Sequence, residues 1–190
     1  MSSEKKLLII LHGALGDVVL TFPTILFLRG AYNRIDAVCQ KKIGDLAHRM
    51  GLIDGRIDIN AFFLATIYSD EPINAPTEQL LQQYDRVILF SFSRSLEDAL
   101  KQITGDRMNR IPPRPAVHEK IHVGKYIADL LAANKILETT AVPRDLIEKW
   151  RREHRSWFKS ADPQKIIIHP GSRSLKKTGR LNIFYRPSTS

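Results

Sequence analysis

The sequence opens with short apolar runs that alternate with longer, mostly apolar or amphipathic segments. The run Leu7–Leu11 has the length of a buried strand, and Val18–Leu28 has the length of a helix. Gly13 and Gly16 lie between the two, in a stretch typical of a tight turn. The opening therefore predicts a strand, a glycine turn and a helix, with Asp17 where the helix starts.

Strands and helices are predicted to alternate as far as residue 90. The predicted strands are Ile35–Cys39, Arg56–Asn60 and Arg86–Phe90, and the predicted helices are Ile43–Met50 and Thr77–Tyr84. Gly51 takes the position of a C-terminal glycine cap. This alternation favours right-handed crossovers, and so an α/β fold of Rossmann-like type with a parallel sheet and flanking helices.

Three serines follow the strand that ends at Phe90. Ser91, Ser93 and Ser95 form a polar turn before a predicted helix, Leu96–Lys101. In a parallel sheet this turn faces the same edge as the glycine turn, because both follow the carboxyl ends of strands. The serine hydroxyls either line a cleft there or cap the helix.

The next segments are an extended stretch and two further helices. Prolines disfavour helix at Ile111–Pro115, and an apolar stripe predicts a helix that starts at His118. His118 and His122 are four residues apart, a spacing that suits a metal ion on a helix face, but no third ligand is evident and no metal site is predicted. Leu146–Phe158 is amphipathic, with Trp150 and Trp157 on one side.

Charge is concentrated at the end of the chain. Residues 151–190 hold ten Lys or Arg against two Asp or Glu, a net +8 out of +9 for all 190 residues. Such a surface suits phosphates on a nucleotide, a nucleic acid or an anionic lipid, although a solvated basic face needs no partner. Cys39 is the single cysteine, which excludes an internal disulfide and fits a cytoplasmic setting. No apolar span reaches the roughly 18 residues of a membrane helix, so any membrane contact is expected to be peripheral.

A second strand and turn are predicted near the end of the sequence. Lys165–His169 has the pattern of a buried strand, and Gly171 and Ser172 follow it in a small-residue turn. Backbone N–H groups of that turn, together with Lys176 and Lys177, are suited to holding a diphosphate. We therefore predict one domain over 1–160, and a linker and the start of a second domain over 161–190. Too few residues follow to bury the core of that domain, so we expect a truncated second domain.

Asp17 has two possible roles. It either offsets the positive end of the helix dipole or faces a pocket at the carboxyl edge of the sheet. The turn lacks the G-x-G-x-x-G spacing of dinucleotide sites, and a carboxylate would repel a pyrophosphate. The opening loop is therefore better suited to a partner that carries hydroxyl groups.

Together, LLIILHGALGDVVLTFP near the start and IIIHPGSRSLKK about 150 residues later resemble glycosyltransferase family 9, the heptosyltransferases of the lipopolysaccharide inner core. The resemblance implies a GT-B architecture, of which this chain has the N-terminal half, and inverting transfer of a heptose from an ADP-sugar without a metal ion or cofactor. It implies that Asp17 is the catalytic base and that Gly13, Ala14, Leu15 and Gly16 bind the acceptor. It places the donor on His169, Gly171, Ser172, and Lys176 or Lys177.

The sequence departs from this family after Lys177. The segment TGRLNIFYRPSTS lacks the Trp-Pro pair with which family members continue, as if the second domain were truncated or read out of frame. We therefore expect little or no transferase activity from the chain alone. The alternative hypothesis is a non-catalytic Rossmann-like module whose basic end binds an anionic lipid or a nucleic acid. Of these two anions the nucleic acid is disfavoured, because no recognised nucleic-acid fold accompanies the basic residues.

Overall fold

The computed structural model describes residues 4–11, 13, 15–61, 65–67, 72–116, 118–138 and 144–155. The chain divides into a compact unit, Met1–Glu153, and a second unit, His154–Ser190, of which only residues 154 and 155 are described. The predicted strand Lys165–His169, its turn and the domain boundary at residue 160 lie outside the described residues and stay predictions.

The described residues form a parallel, five-stranded sheet. Its strands are β1 (Lys6–Leu11), β2 (Arg34–Cys39), β3 (Gly55–Asp58), β4 (Arg86–Phe90) and β5 (Met108–Ile111), in the order β3-β2-β1-β4-β5. β1, β2 and β4 are nearly continuous buried apolar runs, as expected for parallel strands covered on both faces. The predicted α/β fold with a parallel sheet and flanking helices is confirmed.

β1 lies at the topological switch point of the sheet, where the strand order reverses between β3 and β4. β1 pairs with β2 on one side and with β4 on the other, and Leu11 at its end lies opposite Phe90. The chain therefore leaves the ends of β1 and β4 towards opposite faces of the sheet. Open α/β sheets bind ligands in the crevice beside such a switch point.

Helices cover both faces of the sheet. They are α1 (Leu15–Leu28), α2 (Lys41–Arg49), α3 (Ala75–Gln82), α4 (Arg94–Thr104), α5 (Val123–Ala133) and α6 (Arg144–Glu153). One buried cluster joins a sheet face to α1, α2 and α5, with α6 packed at its margin, and the other cluster joins the opposite face to α3 and α4. Among the described helices, none combines the length and hydropathy needed to cross a bilayer.

Two sequence predictions need correction. The predicted helix at His118 begins only at Val123, because His122 is its N-cap and its Nδ1 accepts a hydrogen bond from the N–H of Gly124. β5 was not predicted as a strand at all. Only Met108 and Ile111, at its two ends, are buried, so the segment lacks the apolar run that identified its neighbours.

Gly51 is confirmed as the cap of α2. Its φ of 65° is left-handed, a region that glycine adopts without steric cost. Its N–H donates to the carbonyl of His48, and the N–H of Leu52 reaches back to Ala47, so the last carbonyls of the helix have donors.

Candidate functional site

Asp17 lies in the first turn of α1, directly beyond the carboxyl end of β1. It is therefore beside the switch point between β1 and β4. The carboxylate approaches Gly13, where an added Cβ would stand 3.9 Å from Asp17 Oδ2. Its side chain keeps 28% of its surface exposed. Solvent can therefore reach the carboxylate, and no backbone N–H of the described residues donates a hydrogen bond to it.

A small cavity lies directly behind Asp17. Its volume is about 10 Å³, and besides Gly13 and Asp17 it is lined by Leu11, Val18, Thr21, Phe90 and Pro113. This is close to the minimum space for one water molecule. The ends of β1 and β4 both contribute to the lining, so the cavity lies at the switch point itself.

Arg114 faces Asp17 from the segment after β5. Its Nη1 is 4.0 Å from Asp17 Oδ1, and its guanidinium lies 5.6 Å from the centre of the Phe92 ring. The arginine side chain is 61% exposed, and an exposed pair at this distance contributes little to stability. Pro113 is buried and Pro115 half-buried, so the two prolines fix the backbone on either side. A carboxylate and a solvent-accessible cation thus share one edge of the sheet.

The serine turn after β4 acts as a helix cap. The Ser93 hydroxyl accepts from the N–H of Leu96 at 3.2 Å, Ser91 Oγ accepts from the N–H of Ser93, and the hydroxyls of Ser93 and Ser95 lie 2.9 Å apart. Of the two roles open from the sequence, the hydroxyls therefore fulfil the capping role. The turn contributes Phe92 to the site instead.

Charged side chains hold β5 in place beside this turn. Arg110 Nε donates to Glu97 Oε2 at 2.6 Å, and its Nη1 reaches the carbonyl oxygen of Ser91 at 3.4 Å. Burial opposes ionisation of Glu97, but hydrogen bonds from Lys101 and Arg110 outweigh it and lower the pKa of this carboxyl. Glu97 therefore stays charged at neutral pH and anchors the strand that leads to Arg114.

His118 and His122 do not share a helix face, because α5 begins only after His122. The Nδ1 of His122 is occupied by the N–H of Gly124 at 3.1 Å. In the described part of the chain, no group of three or more His, Cys, Asp or Glu side chains is arranged to hold a metal ion.

The structure places some of the predicted site residues and not others. Gly13, Leu15, Gly16 and Asp17 lie together at the carboxyl edge, where Leu15 and Gly16 are exposed. The remaining predicted site residues lie outside the described part of the chain: Ala14, His169, Gly171, Ser172, Lys176 and Lys177.

Sequence reasoning missed Arg114 and Phe92. The signals were an arginine between two prolines after a strand, and an aromatic residue between serines, where no core position was expected.

Comparison with solved structures finds one structure that matches nearly the whole chain. The crystal structure of a glycosyl transferase family 9 protein from Veillonella parvula superposes with a TM-score of 0.55 at 17% identity, covering 95% of this chain and 58% of that one. This likeness concerns the fold, and the chain spans little more than half the length of that protein.

Other comparisons add nothing to this. A xanthine dehydrogenase from Bacillus halodurans matches 77% of the chain at 16% identity, but its TM-score of 0.36 does not identify a common fold. No protein-family model matches the sequence, and the search of curated proteins gave no match.

Proposed function

We propose that this chain is the acceptor-binding half of an inverting glycosyltransferase and that Asp17 is its catalytic base. The observation that carries the proposal is the position of the Asp17 carboxylate, accessible at the β1/β4 switch point and 4.0 Å from Arg114. The similarity to the fold of a family 9 glycosyl transferase supports the glycosyltransferase part of the proposal. So does the resemblance of the opening motif to that family.

In the proposed reaction an acceptor hydroxyl donates its proton to Asp17. The hydroxyl oxygen forms a bond to the anomeric carbon of the donor sugar as the bond from that carbon to the diphosphate oxygen breaks. The electron pair leaves with the diphosphate from the opposite face, so the anomeric configuration inverts. An ionised carboxylate within hydrogen-bonding reach of the hydroxyl is suited to this step.

Arg114 is proposed to bind an anionic group of the acceptor. It is exposed, its backbone is fixed by prolines, and it rests on the Phe92 ring, which leaves its N–H groups free to form a bidentate contact with a phosphate or carboxylate. The acceptor is proposed to be the lipopolysaccharide inner core and the donor an ADP-heptose. Both follow from the sequence resemblance alone, as does peripheral contact with the inner membrane.

Asp17→Asn and Asp17→Ala test the assignment when transfer and melting temperature are both measured, in the chain supplemented with a complete donor domain. Asn keeps the shape and polarity of the turn but accepts no proton, so transfer should fall by about 100-fold or more while the melting temperature changes little. Full activity of the Asn variant would remove Asp17 from the mechanism.

Acceptor binding gives a second readout that needs no donor domain. Arg114→Gln should weaken binding of an anionic inner-core acceptor by about tenfold, which corresponds to loss of one charged hydrogen bond. Asp17→Asn should leave that binding within about twofold, since the Asn side-chain oxygen still accepts a hydrogen bond from the acceptor hydroxyl. Arg49→Gln, at the exposed C-terminal end of α2 and so at the opposite edge of the sheet, is the matched control.

A further inference from the structure

A second, larger cleft lies at the edge of the sheet opposite Asp17. Lys5 precedes β1, Tyr32 precedes β2 and Arg86 opens β4, so all three are at the amino ends of parallel strands. The end of α5 and the start of α6 complete this amino-end cleft, whose volume is about 690 Å³. β1 has six residues, which separates the two edges by about 20 Å. The cleft is therefore independent of the site proposed above.

Apolar side chains form one wall of the amino-end cleft. Phe27, Ile136 and Leu137 are buried at its floor, and Leu146 is half-buried at its side. Clefts of several hundred Å³ with an apolar lining and a few polar groups are typical of small-molecule sites. This wall suits a ring or an aliphatic chain.

Cations form the rim of the cleft. Lys5, Arg86 and Lys135 line it, and none of the three forms an ion pair with a carboxylate of the described residues. Glu138 and Asp145 also reach the rim, but both are exposed to solvent. Lys5 and Lys135 are exposed as well, so water screens these charges of both signs, whereas Arg86 is half-buried and is screened less. The cleft favours an anion because its cations outnumber its carboxylates and its half-buried charge is positive.

Arg86 is held in one position. Its Nη1 donates to Asn109 Oδ1 at 2.7 Å. A guanidinium held by a neutral partner retains its full charge and loses less freedom when it binds a ligand.

Lys135 provides an independent observation. It is the one described residue other than glycine with a positive φ, 57°, and it follows the end of α5 where helices commonly place glycine. The N–H of Ile136 donates back to the Leu131 carbonyl at 2.9 Å, which fixes this helix end. A lysine here is less stable than a glycine would be, yet it brings an ammonium group to the cleft.

We propose that the amino-end cleft binds a small amphipathic anion, a molecule with an apolar ring or chain and one carboxylate, sulfonate or phosphate group. The apolar part lies on the Phe27 and Leu137 wall, and the acidic group lies between Arg86 and Lys135. Binding there leaves the Asp17 edge open.

The test is a fluorescence titration of the full chain with 8-anilinonaphthalene-1-sulfonate and with its uncharged analogue N-phenyl-1-naphthylamine. The sulfonate should bind at least about fivefold more tightly than the analogue, because only the sulfonate meets the rim cations. Lys135→Gly should weaken sulfonate binding by about fivefold and raise the melting temperature by about 2 °C, since it removes both the ammonium and the left-handed strain.

Two variants control the interpretation. Lys120→Gly makes the same change of residue at the opposite edge and should leave sulfonate affinity unchanged. Ala31→Trp fills the cleft from an exposed position and should abolish binding of both dyes with little change in melting temperature. Equal affinity for the two dyes, unchanged affinity in Lys135→Gly, or binding retained in Ala31→Trp would each overturn the proposal.

Discussion

At the scale of single residues, the carboxylate of Asp36 inside β2 is tightly constrained. It is buried, it accepts hydrogen bonds from the Tyr84 hydroxyl and Arg34 Nε, both at 2.8 Å, and its Oδ1 has no hydrogen-bond partner among the described residues. Gly55 stands opposite in β3, where any Cβ would clash with the carboxyl group. The pairing of β2 with β3 in this register therefore requires glycine at position 55, because any side chain there would collide with the buried Asp36 carboxyl group.

Tyr84 makes this network dependent on pH. Burial raises the pKa of its phenol well above the ordinary value, and the hydrogen bond to Asp36 raises it further. The stabilisation is therefore complete below the unfolded-state pKa of about 10 and is lost as pH rises above it, because the unfolded tyrosine ionises first.

Tyr84→Phe should lower the free energy of unfolding at pH 7 by about 1–3 kcal/mol, since the buried Asp36 loses a donor. Between about pH 9 and pH 11 the difference between variant and parent should narrow, which urea unfolding at several pH values would measure. Tyr126→Phe, whose hydroxyl has no hydrogen-bond partner among the described residues, is the control for the loss of stability at pH 7. It does not control the pH dependence, because burial raises the pKa of Tyr126 as well. A difference in unfolding free energy between Tyr84→Phe and the parent that widened with pH would contradict this account.

At the scale of elements, Asp54 ties the end of α1 to the start of β2. Its Oδ2 accepts from the N–H of Ile35 at 2.7 Å and from Arg29 Nη1 at 2.5 Å. Burial opposes ionisation of Asp54, but the hydrogen bonds from Arg29 and Ile35 outweigh it and lower the pKa of the carboxyl. One side chain thus joins a helix and a strand that are adjacent in the chain.

Asp54→Asn should destabilise the protein by about 1 kcal/mol at pH 7, because the amide keeps the N–H contact but loses the charge. A lowered pKa gives stabilisation that is present above the unfolded value and lost as pH falls through the folded one. The variant and the parent should therefore converge below about pH 4 in acid unfolding. Asp106→Asn, at an exposed site on the same domain, should change the free energy of unfolding neither at pH 7 nor in acid. A difference between Asp54→Asn and the parent that persisted in acid would exclude this role of the Asp54 charge.

At the scale of the whole molecule, the described core is complete within one unit. Helices cover both faces of the sheet. Trp150 in α6 donates through Nε1 to the carbonyl oxygen of Met50 at 2.7 Å, which ties α6 to the end of α2. A parallel sheet whose two faces are both buried under helices has the packed core that cooperative folding requires.

We therefore predict that a chain ending at residue 155 folds cooperatively. Its melting temperature should stay within about 3 °C of that of the full chain, because its buried clusters are intact. Circular dichroism melting with sedimentation would measure stability and association together. A shortened chain that aggregated or melted without cooperativity would indicate that residues beyond 155 complete the core.

The sequence by itself determined the fold class and one half of the candidate site. β1, β2 and β4 were predictable because strands buried on both faces leave continuous apolar runs, and Asp17 because it follows such a run and a glycine turn. Only the tertiary structure decided that β5 pairs with β4 and that Arg114 meets Asp17. The local pattern of apolar residues indicates which positions are buried and whether a segment is a helix or a strand. Contacts between distant segments depend on strand order, which no local pattern contains. The burial of Asp36 could not be predicted for the same reason, since its hydrogen-bond partner Tyr84 is 48 residues away in the sequence.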